Sequence, residues 1–211
     1  MQSFEKLLLE NKAWAQEELL EDPEFFNRLA KTQTPEFLWI GCSDSRVPAN
    51  QITGTNPGEL FVHRNIANLV VEDDLNLLSV LEYAVTYLKV KHVIVCGHHG
   101  CGGVKAAMGD EQYGMLDNWL VNIKKTYAAH REEIDAIEDG DERVNLLSEY
   151  SVKQQVLNIA KTQTIKNAWA KGNLPQIHGW AYSLKDGLLK NIFRMVKPAT
   201  ETSPGNVLTA V

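Results

Sequence analysis

Cysteine is scarce in this chain of 211 residues, where Cys42, Cys96 and Cys101 are the whole supply. Three thiols are too few, and odd in number, for a disulfide framework at this length, so they ask for a role in a reducing compartment. Basic charge is short as well: 21 Lys and Arg face 27 Asp and Glu, a formal net charge of −6. No basic cluster offsets that deficit, which argues against nucleic acid as a partner, because phosphates are held by a positive face. Long apolar runs are missing too, and none approaches the roughly 20 residues of a membrane-spanning helix. The opening MQSFEKLLLENKAW interrupts its one apolar triplet with charges. That is neither a signal-peptide core nor an Arg-rich, acid-poor transit sequence, and a soluble, cytoplasmic protein is expected.

What is present is a composition 44% hydrophobic, enough at this length for one substantial core. Residues 1–196 are expected to form one domain, with 1–34 as a helical arm. The tail, 197–211, is rich in Pro, Thr and Ser without periodicity and reads as extended, disordered, or an arm on a neighbouring subunit. Within 4–32, Phe4, Leu7, Leu8, Trp14 and Leu19 keep helical spacing, and Pro23 suits the first turn of a second helix. The period then changes. EFLWIGC (36–42), ELFVHRN (59–65) and KHVIVCGH (91–98) are short apolar runs with strand character. Between the last two, Leu77, Leu81, Val85 and Leu88 recur every three or four residues behind an acidic start, which marks an amphipathic helix. Strand, helix, strand is a crossover unit, so an α/β fold with a parallel sheet is expected. A helix should follow GCGG, two longer ones should lie near 114–137 and 142–171, the latter ended by Gly172, and Asp186-Gly187 should turn a hairpin.

Two stretches carry chemistry, GCSDSR (41–46) and CGHHGCGG (96–103). Each lies just past the carboxyl end of an expected parallel strand, the edge where open α/β sheets build sites. Cys42, His98 and Cys101 offer two thiolates and an imidazole, a set suited to tetrahedral zinc, and three protein ligands leave a fourth position for chemistry. Asp44 is the rival for that position; Arg46 can hold it away and keep the site open. A lone strand-end cysteine is more often a small buried hydrophobe, which is the reading given to Cys96, and Asp44 with Arg46 could be an ordinary turn or surface pair. His99 is expected to point elsewhere than its neighbour. GCGGVKAAM lacks the spacing of a phosphate loop; Gly102 and Gly103 instead let backbone N–H groups come near a ligand at the metal.

In combination, CSDSRVP, GELFVHRNIAN and CGHHGCGG resemble the β-class carbonic anhydrases, from the N-terminal helices to about Arg194. The resemblance implies a four-stranded parallel core with an added antiparallel strand, flanked by helices, and N-terminal helices that clasp a partner subunit in a dimer or tetramer. It implies one zinc ion per chain on Cys42, His98 and Cys101, an Asp44–Arg46 dyad gating the fourth position, and Asp44 itself on zinc in a closed state. It implies CO2 and bicarbonate as the small-molecule partners, and an active-site place for Gln33 across a subunit interface. A bacterial subgroup (type II) binds bicarbonate in a second, inhibitory pocket, which Trp39, Arg64 and Tyr182 match; Asn50 departs from the Glu found there. Hydrolysis of CS2 or COS on the same scaffold, or a noncatalytic structural zinc, are the alternative readings. A thiol redox role lacks the Cys-x-x-Cys motif it would need.

Overall fold

A computed structural model describes residues 2–172 and 174–198, so nearly all of the tail set off at residue 197 lies outside the described residues. They fall into two compact units, one ending at Thr34 and one beginning at Pro35.

The first unit is α1 (Ser3–Glu21) and α2 (Phe25–Lys31). The Gln2 backbone N–H donates to the Glu5 carboxylate at 2.8 Å, which closes a capping box at the start of α1. Asp22 ends that helix in an extended conformation; its carboxylate accepts from Glu24 N–H at 3.0 Å and pairs with Arg28. This Asp22-centred turn takes up Pro23, which therefore precedes α2 instead of occupying its first turn. Trp14, Phe25 and Phe26 meet edge to face, with centroids 5.0–6.4 Å apart. α1 buries no residue, and Leu7, Leu8 and Leu20 are 70%, 69% and 84% exposed.

The second unit is built on a five-stranded sheet in the order β2-β1-β3-β4-β5. β1 (Phe37–Cys42), β2 (Leu60–Asn65), β3 (His92–His98) and β4 (Gln176–Tyr182) run parallel, and β5 (Leu189–Met195) pairs antiparallel with β4. The hairpin turns at Gly187, whose φ of 74° is cheap only for glycine. Alternation along β1 sends Leu38 and Ile40 to one face and Trp39 to the other. Leu38 and Ile40, with Val93, Val95 and Ile177, pack under α4 (Leu75–Glu82), α8 (Gly140–Lys161) and α9 (Gln163–Lys171).

α4 is capped by Asp74, whose carboxylate accepts from Asn76 N–H, and runs on through a wider turn at Tyr83–Leu88 to Lys89 in the left-handed region. The remaining helices are α3 (Ala49–Thr53), α5 (Gly102–Met108), α6 (Met115–Ala129) and α7 (Arg131–Asp135). Both long helical stretches expected from sequence are broken once. His130 leaves helical geometry between α6 and α7, and Thr162 turns extended between α8 and α9 while its hydroxyl accepts from Ile165 N–H. Thr162 competes for the backbone with its own side chain, so the helix restarts there.

α8 sits close on the sheet at Val152. A Cβ placed on Gly97 of β3 would lie 2.6 Å from Val152 Cγ2, and one on Gly179 of β4 would lie 2.8 Å from Val152 Cγ1. Those two bare backbones are what let Val152 seat. Among the described residues, no helix is long and apolar enough to cross a membrane.

Candidate active site

Cys42 ends β1, His98 ends β3, and Cys101 caps the start of α5. Parallel pairing of β1 with β3, in register through Gly41 and Cys96, brings the first two ends side by side. The two sulfurs and one imidazole nitrogen of Cys42, Cys101 and His98 lie within 4.8 Å of one another, and all three residues are buried. His98 Nδ1 faces the His99 carbonyl at 3.1 Å, which leaves Nε2 to the cluster. Among the described residues, Nε2 is the one buried side-chain nitrogen or oxygen with no hydrogen-bond partner. Such an orphan costs stability unless something binds it. A buried lone pair facing two thiols is the donor set that zinc takes.

The thiols act as a pair. Hydrogen bonding from the Cys101 thiol pulls Cys42 down, while the same partnership and burial push Cys101 up. A metal binds thiolates, so zinc held between the two sulfurs would displace whatever proton they share. Cys96 lies outside the cluster. It is fully buried, its sulfur donates to the Gly97 carbonyl at 3.3 Å, and burial pushes its thiol up, as an inert core cysteine requires.

Asp44 and Arg46 are joined by two side-chain bonds, Nε to Oδ1 at 2.9 Å and an Nη2 bond to Oδ2 at 2.7 Å, and Arg46 N–H adds a third at 2.9 Å. The Arg46 guanidinium holds the Asp44 carboxyl well below the usual carboxylate range. Asp44 Oδ2 stands 3.7 Å from His98 Nε2, the orphaned atom. Gly102 and Gly103 open α5 beside Cys101; a Cβ on Gly103 would come within 3.0 Å of Ile66 Cγ2, while none is met at Gly102. Gln33 lies after α2, in the N-terminal unit.

Trp39 and Tyr182 share one apolar cluster with Trp180, Ile94 and Cys96. Tyr182 pairs with His98 in register and its carbonyl accepts from His99 N–H at 2.9 Å. Arg64 sits opposite Gly41 on β2. Its Nε donates to the Cys42 carbonyl at 2.8 Å and its Nη2 to the Asp44 carbonyl at 2.6 Å, so it braces the backbone that carries both a ligand and the dyad. Asn50 spends its amide on Thr55 Oγ1 and the Asn56 carbonyl.

Sequence reasoning missed several supports. Beyond β2, Ala67 and Asn68 both adopt positive φ, 60° and 49°; a Cβ on Gly103 would lie 3.3 Å from Ala67 Cβ, and one on Gly97 would lie 3.4 Å from Asn68 Oδ1. A motif of unremarkable residue types gives no sign of such a conformation. Asn145 and Glu149 of α8 bond the His98–Cys101 loop; they stand so far along the chain that only tertiary structure joins them.

A carbonic anhydrase family model matches residues 37–189. The carbonic anhydrase of Emericella nidulans is 50% identical over 191 residues, covering 90% of this chain and 84% of that protein. Among solved structures, a tetrameric β-carbonic anhydrase of Sordaria macrospora superposes with a TM-score of 0.88 at 42% identity, covering 92% of this chain and 98% of that one. A β-carbonic anhydrase of Aspergillus fumigatus gives 0.86 at 41% identity, covering 90% of each chain. Since the matched span holds all three clustered ligands, and the relatives extend over most of both partners' lengths, the chain belongs to the β-class carbonic anhydrases, with Cys42, His98 and Cys101 as its zinc site.

Proposed function

We propose that this chain hydrates CO2 reversibly at the Cys42–His98–Cys101 centre, with Asp44 orienting the attacking water and Arg46 fixing Asp44. The observation that carries the reading is the Asp44 carboxylate, locked by Arg46 and 3.7 Å from the unpartnered His98 Nε2. Zinc held by Cys42, His98 and Cys101 would supply Lewis acidity that brings the pKa of water toward ~7. Asp44 stays ionised because of Arg46, so it only accepts hydrogen bonds. It takes one from the attacking water and leaves that oxygen's lone pair free to face carbon. The new C–O bond forms as one C=O electron pair moves onto oxygen, and the proton lost from water leaves to buffer, giving bicarbonate. Arg46→Ala in the zinc enzyme, followed by stopped-flow CO2 hydration, tests the assignment: turnover should fall about 10²-fold with zinc retained, and near-native turnover would remove the dyad from the mechanism.

Arg64, Trp39 and Tyr182 are proposed to form a second, inhibitory bicarbonate pocket like that of the bacterial type II subgroup. What supports this is the pair of bonds from Arg64 to the Cys42 and Asp44 carbonyls. An anion that drew the guanidinium away would release the backbone carrying Asp44 and let its carboxylate exchange Arg46 for zinc held at Cys42, His98 and Cys101, which would close the enzyme. Asn50 is a neutral amide that donates to Thr55 and Asn56, so that position offers Arg64 no competing acid. Bicarbonate inhibition that differs from simple product competition in the native enzyme, and reverts to it in Arg64→Ala and Tyr182→Phe, is the expected result. Assembly with further copies through the leucine-bearing α1, which would bring Gln33 to a neighbouring site, belongs to the same reading; the relative in Sordaria macrospora is tetrameric.

A further inference from the structure

The loop that delivers two of the three zinc ligands, His98 to Cys101, leaves the sheet at the end of β3, where His99 N–H donates to the Tyr182 carbonyl at 2.9 Å. Its other holds come from α8. Gly100, left-handed at φ 65°, donates its N–H to Asn145 Oδ1 at 3.0 Å. The His99 ring nitrogen Nε2 meets Glu149 Oε1 at 3.0 Å, and Lys190 of β5 reaches both oxygens of Glu149 at 2.9 and 3.1 Å. Asn145 is 9% exposed, and its own amide is turned toward Glu142 at 3.4 Å, so its carbonyl oxygen is presented to the loop.

Asn145 and Glu149 are one helical turn apart, and Val152 follows on the same side of α8. Val152 is the residue that seats between Gly97 and Gly179. The depth of α8 on the sheet thus sets where Asn145 and Glu149 stand above the loop. The loop in turn sets the ring of His98, because His98 Nδ1 bonds the carbonyl of His99, the residue that Glu149 holds.

We propose that Asn145 and Glu149, the latter anchored by Lys190, are positioning residues for the zinc site, clamping the His98–Cys101 loop so that His98 Nε2 and the Cys101 sulfur meet Cys42 already aligned. Partners that fix the free nitrogen of a ligating histidine govern metal affinity as well as orientation. Here that control passes through one peptide unit to a helix. The clamp concerns how the metal is held, and it stands apart from the roles proposed for Asp44 and Arg64.

The test uses the zinc enzyme and measures zinc transfer to a chromogenic chelator, with circular dichroism and thermal unfolding recorded alongside. Asn145→Leu and Glu149→Leu should each release zinc about 10-fold faster than native protein. Glu149→Gln, which keeps an acceptor for His99, should recover most of the native rate. Cobalt substitution supplies a signature that general destabilisation does not move: both leucine variants should shift the ligand-field bands. Release within twofold of native in folded Asn145→Leu and Glu149→Leu, with an unchanged cobalt spectrum, overturns the proposal; so does a Glu149→Gln enzyme that loses zinc as fast as Glu149→Leu. Should Asn145→Leu fail to fold, the two Glu149 variants decide the matter by the same criteria, since that side chain is partly exposed.

Discussion

Gly97→Ala is a single-methyl perturbation with a calculable target. The added Cβ would stand 2.6 Å from Val152 Cγ2, a separation that real Cβ contacts do not reach. Nothing flexible can yield: Val152 is fully buried, and its other methyl is pressed on Gly179. The backbone of Gly97 lies outside the left-handed region, so alanine adds no dihedral strain and the effect is one of packing alone. Overpacking of this kind costs about 1–3 kcal/mol, which in a chain this size lowers Tm by roughly 2–4 °C per kcal/mol. Val152→Ala by itself creates a cavity and costs about 1–3 kcal/mol. Together the two changes add one methyl on β3 and remove the two Val152 methyls, one of which it would strike, so the double variant should be more stable than the sum of the singles by about 1 kcal/mol or more. Urea unfolding at fixed protomer and zinc concentrations measures the cycle. Additivity within about 0.5 kcal/mol would refute the claim that α8 is seated by these bare glycines.

Cys42→Ser and Cys101→Ser should each abolish stoichiometric zinc binding, read by metal analysis after dialysis. Asp139→Ala should cost about 1 kcal/mol, because the Asp139 carboxylate accepts from Asp141 and Glu142 N–H at 2.8 and 2.9 Å; an unchanged urea midpoint would remove that cap from the account. His178 is held down to about 4 by burial, from 6.5, and the adjacent His92 and Arg194 act in the same direction. Its unfolded form takes up a proton first as pH falls, so the stability of the neutral ring is whole above pH 6.5 and lost between there and about 4. Discounted for partial exposure the loss is about 1–2 kcal/mol, and the native minus His178→Gln stability difference should decline over that window; a flat difference would contradict it.

How much of this could be read from sequence depended on distance along the chain. The three strands with continuous apolar character, and the helix marked by Leu77, Leu81 and Val85, declare themselves locally, and so do ligands placed at strand ends. His130 and Thr162 break helices through backbone choices that periodicity does not register. The partners of Arg64 were equally hidden: a strand arginine reads as a surface charge or an anion ligand, and only the β1–β2 register turns it onto the carbonyls of Cys42 and Asp44. Asn145 and Glu149 look like ordinary polar residues on a helix until the fold carries that helix over the loop.

Cys42 and His98 lie on opposite sides of a whole strand–helix crossover and become neighbours only when β1 and β3 pair. Before that pairing, the chain offers a metal just the local His98 and Cys101, too poor a set to hold zinc firmly, and the entropy of closing the long intervening segment is still to be met. The complete ligand set therefore exists only once β1 and β3 have paired, so firm metal capture presupposes sheet assembly. In a refolding experiment, the disappearance of free zinc should trail the recovery of secondary structure, and a chain stalled before the crossover closes should leave the metal in solution.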